Sequence, residues 1–361
     1  MASEDELPRW FAEAVSAPCE SRFVDVHGCA VHYLHWKMRP LATSHQGAGI
    51  IFVHGNGAHA HWWDFVAPFF TGENDCLAVS NSGSGRSAWR EAYSFELWAE
   101  ELMAAAEQCG MLQEAGTRCK PLVVAHSMGV MVAVALARRF GAQIGGLVLL
   151  DEVPRPAAYL EAMFKGFAPP IRPRGKQEAR PAAVSPRSRF SLAPPQPERN
   201  RYLLDHVADR SVKFSEDGSS WEWCFDPQKV QKLPPDEGIP GALAKFLSAE
   251  AIRSLAVRVS FVVGDSSALC SRELVEWARR ELGEHVPFVE IADAGHHIMF
   301  DQPLALVAAI RATISEWRRS ATVTPAGLSL PRLEERASHS AFVGDGSGIP
   351  VRRPWQPGSK L

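Results

Sequence analysis

Six short apolar runs, hydrophobic at consecutive rather than alternate positions, set the terms for what this 361-residue chain can fold into. They span residues 49–53, 76–79, 121–125, 144–150, 257–263 and 286–291. A strand that is apolar on both faces must be covered on both, as in a parallel sheet layered between helices. The intervening segments read as those helices. Ser94 is placed to cap one that runs to about Cys109, with Gly110 as its stop. Residues 128–140 are apolar nearly all round, as in a helix pressed against a sheet. Ser271 can cap a helix carrying Leu274, Ala278 and Leu282, and Pro303 opens another with Leu304, Val307, Ile310, Ile314 and Trp317 on one face. Residues 23–26 and 30–36 flank the turn residues His27 and Gly28 and read as an antiparallel hairpin. The fold class is therefore α/β.

The alternation breaks between Glu152 and Leu255, a gap too long for a simple crossover. The expected organisation is an N-terminal extension (1–21), a core in two parts (22–151 and 256–318), a cap insertion (152–255) and a disordered tail (319–361). Within the insertion, residues 169–199 hold eight prolines and seven basic residues against two acidic ones, which reads as an extended, partly mobile segment. Residues 159–167 and 200–210 read as helices and residues 221–225 as a short strand, together a cap over one end of the sheet. The tail is rich in Ser, Pro, Gly and Arg and stops at Ser359-Lys360-Leu361, the tripeptide read by the peroxisomal import receptor. Peroxisomal localisation is the expectation, with the cytoplasm otherwise.

Charge and composition exclude several classes. Lys and Arg number 38 against 41 Asp and Glu, too balanced for a chain that grips nucleic acid with its overall field. The polar, acidic first eight residues resemble neither a secretory signal nor a mitochondrial presequence. The longest apolar run, residues 128–137, falls well short of the roughly 20 residues of a membrane span. Seven scattered cysteines with no C-x-x-C pair suit a reducing compartment and argue against disulfides or a zinc site.

The most specific local signal is Ala125-His126-Ser127-Met128-Gly129, which joins an apolar strand to the apolar helix. A nucleophile on such a turn is forced into a tight backbone conformation with its side chain clear of the sheet, and the residues two before and two after it must be small. Gly129 meets that need, and Ala125 stands where glycine is usual. A second element, Val53-His54-Gly55-Asn56-Gly57, ends an earlier strand, and closely spaced glycines there let an amide face the same centre. The N–H groups of Asn56 and Met128 would together stabilise an oxyanion. A Gly-rich loop can also cradle phosphate, but the G-x-x-x-x-G-K-[ST] pattern is absent. Third, Gly295-His296-His297 follows the last strand, and His296 has the flanks of a general base that reaches the serine. His54, His59, His61 and His126 cluster in the same region, yet lack the spacing and carboxylates of a metal site, so no metal or cofactor is expected.

The order strand, His-Gly loop, elbow serine, cap, acid, histidine resembles the α/β-hydrolase superfamily, from about Phe23 to Trp317. That resemblance implies an α/β-hydrolase fold: a mostly parallel eight-stranded sheet with helices on both faces. It also implies Ser127 as nucleophile, His296 as base, and Asn56 and Met128 as oxyanion donors. The loop after the Cys76 strand departs from the family's frequent Asp, Arg and His, reading Ser80-Asn81-Ser82-Gly83-Ser84-Gly85-Arg86-Ser87 with the glycine turn intact. The acid is open. The family's usual position falls on Ser267, which carries no charge; Asp265 lies two residues early, and Asp151 ends the strand at Leu150 and is favoured on register.

Trp62 and Trp63 follow the oxyanion loop and read as core packing, whereas Phe190, Trp221, Trp223 and Phe225 of the cap could line an acyl pocket. The arginines between Arg172 and Arg189 could attract a CoA phosphate or simply be solvated. The expected activity is hydrolysis of a carboxylic ester or thioester, fatty-acyl substrates included, through a Ser-His-Asp triad and an acyl-enzyme. The alternatives within the same fold are carbon–carbon bond hydrolysis of a diketone and a ligand-binding receptor or inactive homologue.

Overall fold

The computed structural model describes residues 7–39, 47, 49–112, 120–165, 180–234 and 238–322. Residues 1–316 form one compact unit, and residues 317–361 a second. The first six strands are β1 (Glu20–Val26), β2 (Cys29–Trp36), β3 (Ile50–Val53), β4 (Cys76–Val79), β5 (Leu122–His126) and β6 (Gly146–Leu150). Three short cap strands follow, β7 (Arg180–Pro181), β8 (Val212–Phe214) and β9 (Ser220–Trp223), and then β10 (Arg258–Gly264) and β11 (Phe288–Ile291). The main sheet has eight strands in the order β1-β2-β4-β3-β5-β6-β10-β11, with β2 alone running against the rest. It is the sheet that the apolar runs and the resemblance led one to expect.

Every residue of β3, β4, β5 and β6 is buried, so the centre of the sheet is covered on both faces. One parity, Ile51, Val53, Val123, Ala125, Leu147 and Leu149, joins the main core. That core is completed by α2 (Phe95–Gln108), α3 (Met128–Phe140), α6 (Ile239–Phe246) and α8 (Arg272–Leu282), numbering helices from α1 (Arg9–Val15) with α4 (Ala157–Phe164) and α5 (Arg201–Arg210) in the cap and α7 (Ala249–Arg253) after α6. The other parity meets aromatic residues: Phe52 lies 5.1 Å from Trp63 and 5.9 Å from Phe70, ring to ring. The caps expected at Ser94 and Ser271 form, each hydroxyl accepting a backbone N–H three residues on. Two last helices close the described chain, α9 (Ile298–Asp301) and α10 (Pro303–Thr322). Val307, Ile310 and Ile314 of α10 are buried as expected; Leu304, at the edge of that face in the first turn, is exposed.

The cap differs from its sequence outline. It holds a three-stranded antiparallel sheet, β7-β9-β8, built on the Trp221–Trp223 strand. Residues 180–199 are pinned rather than loose: β7 pairs with β9, and Arg187 bonds Asp209 of α5. Residues 169–179 of that segment lie outside the described residues, as do 323–361 with Ser359, Lys360 and Leu361. α6 and α7, at the end of the expected insertion, contribute Leu243, Phe246, Ala249 and Ile252 to the main core.

The N-terminal segment is likewise integrated. Phe11 of α1 is buried, with ring contacts to Phe65 of the core and to Tyr202 and His206 of cap helix α5. Phe11→Ala should therefore lower unfolding stability by about 3 kcal/mol, the usual cost of deleting a buried aromatic ring. A urea midpoint unchanged from wild type would show that α1 is not part of the cooperative unit.

Candidate active site

β5 ends at His126 and α3 begins at Met128, leaving Ser127 alone between them with φ 54° and ψ −127°. An L-residue is strained there and needs surrounding structure to hold it. The hold is a pair of hydrogen bonds: Ser127 N donates to Leu150 O at 3.0 Å, and Val130 N donates to Ser127 O at 2.8 Å. Close packing explains Gly129, since a Cβ at that position would stand 2.6 Å from His54 O. Strand and helix can then meet only through this turn, and the serine hydroxyl is turned out of the sheet.

Two residues downstream in sequence line up behind that hydroxyl. Ser127 Oγ lies 2.9 Å from His296 Nε2, and His296 Nδ1 lies 2.7 Å from Asp151 Oδ2. Because the carboxylate accepts from Nδ1, the imidazole presents Nε2 as acceptor to the serine hydroxyl. Asp151 follows β6 directly, has φ 51°, and is fully buried. Its Oδ1 accepts from Gly264 N at 2.9 Å and its Oδ2 also from Ser267 Oγ at 2.5 Å. Of the two carboxylates open at the sequence level, the structure brings Asp151 to His296 and not Asp265. Asp265 is exposed and turned to its own loop, where its Oδ1 accepts from Ser266 Oγ and Ala294 N. Ser267 occupies the family's acid position and, in place of a charge, supplies a donor to the carboxylate of Asp151.

The histidine loop is itself held. Gly295 N donates to Asp301 Oδ2 at 2.7 Å, and His126 Nε2 donates to His296 O at 2.9 Å. From the cap, Gln196 accepts from His297 N at 2.8 Å and donates to Asp301 Oδ2 at 2.8 Å. No local sequence pattern announces Gln196 or Ser267, because their partners lie about a hundred residues away.

A cavity of about 570 Å³ opens over Ser127, between the elbow and the cap. Asn56 and Gly57 line it on one side, and Trp62, Phe190, Leu192, Trp223 and Phe225 give it apolar walls. The backbone N–H groups of Asn56 and Met128 have no acceptor among the described residues, which leaves both available beside the hydroxyl. Of the aromatic candidates, Trp62 is cavity wall; Trp63 is buried against Phe52, and Trp221 is buried in the cap with its indole N–H on Val184 O.

Burial dominates the electrostatics. It pushes His296 down to about 4 and Asp151 up to about 6, the latter opposed by the bonds from Ser267 and Gly264. His296 is thus unprotonated at neutral pH, the form a base requires. His126 and His297 are lowered by burial to about 3 and about 2. One side-chain nitrogen each of His126, His296 and His297 lies within 4.8 Å of the others, but both ring nitrogens of His296 are engaged, by Asp151 and by Ser127. Of the grouping singled out by sequence only His126 belongs to this cluster; His54 bonds Gly55 O, His59 bonds Ser211, and His61 bonds Asp64.

Comparison with known proteins agrees with this architecture. Residues 50–310 match the sequence model of the Alpha/beta hydrolase family. Esterase Rv0045c of Mycobacterium tuberculosis is 28% identical over 272 residues, which cover 73% of this chain and 82% of that protein. A structure of that esterase superposes with a TM-score of 0.61 at 23% identity, covering 84% of this chain and 97% of the other. E-2-(acetamidomethylene)succinate hydrolase superposes with a TM-score of 0.61 at 18% identity, covering 82% and 100%. The thioesterase domain from the curacin biosynthetic pathway gives 0.60 at 20%, covering 83% and 99%.

The geometry predicts unequal consequences for the two carboxylates. Asp151→Asn should slow phosphonylation of Ser127 by a fluorophosphonate about 10³-fold or more, since the imidazole loses the partner that sets its tautomer. Asp265→Asn should leave the labelling rate within about twofold, as expected of a surface substitution. Equal rates for the two variants would remove Asp151 from the relay.

Proposed function

The chain belongs to the Alpha/beta hydrolase family, and from that membership and the site geometry we propose that it is a serine hydrolase of carboxylic esters or thioesters. The observation that carries this reading is the unbroken hydrogen-bonded line from Asp151 through His296 to Ser127, ending at a cavity flanked by two free amides. The esterase and thioesterase among its relatives are named for the same class of chemistry.

In this reading His296 Nε2 takes the proton of Ser127 as Oγ attacks the acyl carbonyl. The amides of Asn56 and Met128 stabilise the oxyanion, aided by the N-terminal end of α3. Asp151 stabilises the imidazolium that forms, and that proton then passes to the departing alcohol or thiol. Water, activated by the same imidazole, releases the acyl group. The largely apolar cavity suits an acyl chain or an aromatic ester, and its volume is within the range of small-molecule sites.

Purified protein should hydrolyse a p-nitrophenyl ester with multiple turnovers, and a fluorophosphonate should label Ser127 and stop the reaction. His296→Ala should abolish both. Turnover of a β-diketone without any ester hydrolysis would favour the carbon–carbon alternative, and saturable binding without turnover the receptor alternative.

The pH profile follows from the depressed base. His296 must be neutral to act, so kcat/KM should be at its plateau at neutral pH and fall only as acid protonates the Asp–His pair. The midpoint of that acid limb should lie below the ordinary imidazole value of 6.5, toward 4. A midpoint above 6.5 would contradict the burial described here.

A further inference from the structure

The proposed hydrolase mechanism makes no use of a buried lysine that lines the same cavity. Lys229 lines that cavity together with Ser127, and the residue is only 3% exposed. Its Nζ donates to Ser84 Oγ at 2.7 Å and lies 5.7 Å from the centre of the Trp98 ring. Neither neighbour carries a charge. Burial lowers its pKa to about 8, so it remains mostly protonated at neutral pH.

Carboxylates are close, but they are already engaged. Asp226 accepts from Lys232 Nζ at 2.6 Å, from Tyr93 OH at 2.8 Å and from Gln228 N at 2.9 Å. Glu101 accepts twice from the Arg90 guanidinium and once from Ser82 N. Arg90 with Glu101 and Lys232 with Asp226 each sum to zero. Lys229 is left as a buried positive charge with no ion-pair partner among the described residues. Arg189, exposed at the same cavity, likewise has no carboxylate partner among the described residues.

A buried charge is costly unless it is paired, and burying one in a binding cavity leaves the pairing to the ligand. We propose that Lys229 binds a carboxylate of the substrate, so that the ester or thioester cleaved at Ser127 is one that carries a second, free carboxylate. This rests on the hydrolase reading above and narrows it to monoesters or monothioesters of dicarboxylic acids and similar anionic acyl compounds. One ammonium beside one hydroxyl matches a singly charged carboxylate. Arg189 is exposed and met by water, so the buried excess is the single charge of Lys229, which one carboxylate cancels and a doubly charged phosphate would reverse. The apolar walls fit the carbon chain between the two ends of such a molecule.

The test compares p-nitrophenyl monoesters of straight-chain dicarboxylic acids of increasing length with neutral esters of matching length. For at least one length, wild-type kcat/KM should favour the charged ester by about tenfold or more, the worth of one charge-assisted hydrogen bond. Lys229→Met should erase most of that ratio, acting chiefly through KM, while a thermal melt confirms that the variant folds. Two results would overturn the proposal: no preference at any length, or an equal loss on charged and neutral esters in Lys229→Met. The latter would make Lys229 part of the oxyanion electrostatics.

A second measurement is independent of turnover. Ser127→Ala protein, titrated calorimetrically, should bind the monomethyl monoanion of the preferred diacid about tenfold tighter than the dimethyl diester. Ser127→Ala/Lys229→Met protein should not distinguish them. If wild type hydrolyses neither class of ester, the hydrolase reading fails, and this titration alone decides the fate of the carboxylate site.

Discussion

A carboxylate with no exposure to water governs the arrangement of this molecule's working end. Asp151 can stay charged in the interior only if donors surround it, and three donors from two stretches of chain do so. Gly264 N comes from the end of β10, Ser267 Oγ from the loop that follows, and His296 Nδ1 from the loop after β11. Those loops meet because β6, β10 and β11 are adjacent parallel strands whose ends lie together. The order of strands in the sheet is thus what makes the buried charge tolerable. The charge in turn fixes the tautomer and direction of the imidazole. Gly264 shows how tight the convergence is, since a Cβ there would come within 2.3 Å of Ala294 O.

Much of this could be read from the chain itself, and the reason is local. The central strands are apolar at consecutive positions, and the elbow at Ser127 needs small neighbours within two residues, so both leave marks in short windows of sequence. The choice between Asp151 and Asp265 did not. Both end strands of the same sheet, and what separates them is the direction of the side chain relative to the loop that carries His296. That histidine is the nearer in sequence to Asp265 and yet is engaged by Asp151. Asp151 turns inward with a positive φ and its N–H on Val262 O, whereas Asp265 turns to solvent. In sequence Ser267 only lacks the charge a triad needs; in space it is the neutral partner of a charge placed one strand over.

The cap was the least legible part, for a related reason. Its three strands are two to four residues long and take their stability from partners distant in sequence, which leaves little periodic signal. Polar contacts with the loop after β4 fasten it: Asp226 N donates to Gly83 O, Tyr93 OH to Asp226, and Lys229 to Ser84. That serine-rich loop, which departs from the family's common pattern, buries its four serines and Asn81 around the glycine turn and acts as the seat for the cap. The N-terminal helix, seemingly an appendage in sequence, is wedged by Phe11 between core and cap.

Gln196 ties these regions together in a way that bears on how the molecule would admit and release anything. Its amide grips the histidine loop from above, holding His297 N and the carboxylate of Asp301, which also receives Gly295 N. Lifting this side of the cap would break those bonds and slacken the backbone that aims His296. Roof and relay thus share a strut: the same amide that seats the cap steadies the loop behind the imidazole, adding to the grip that Asp151 and His126 keep on His296 from below.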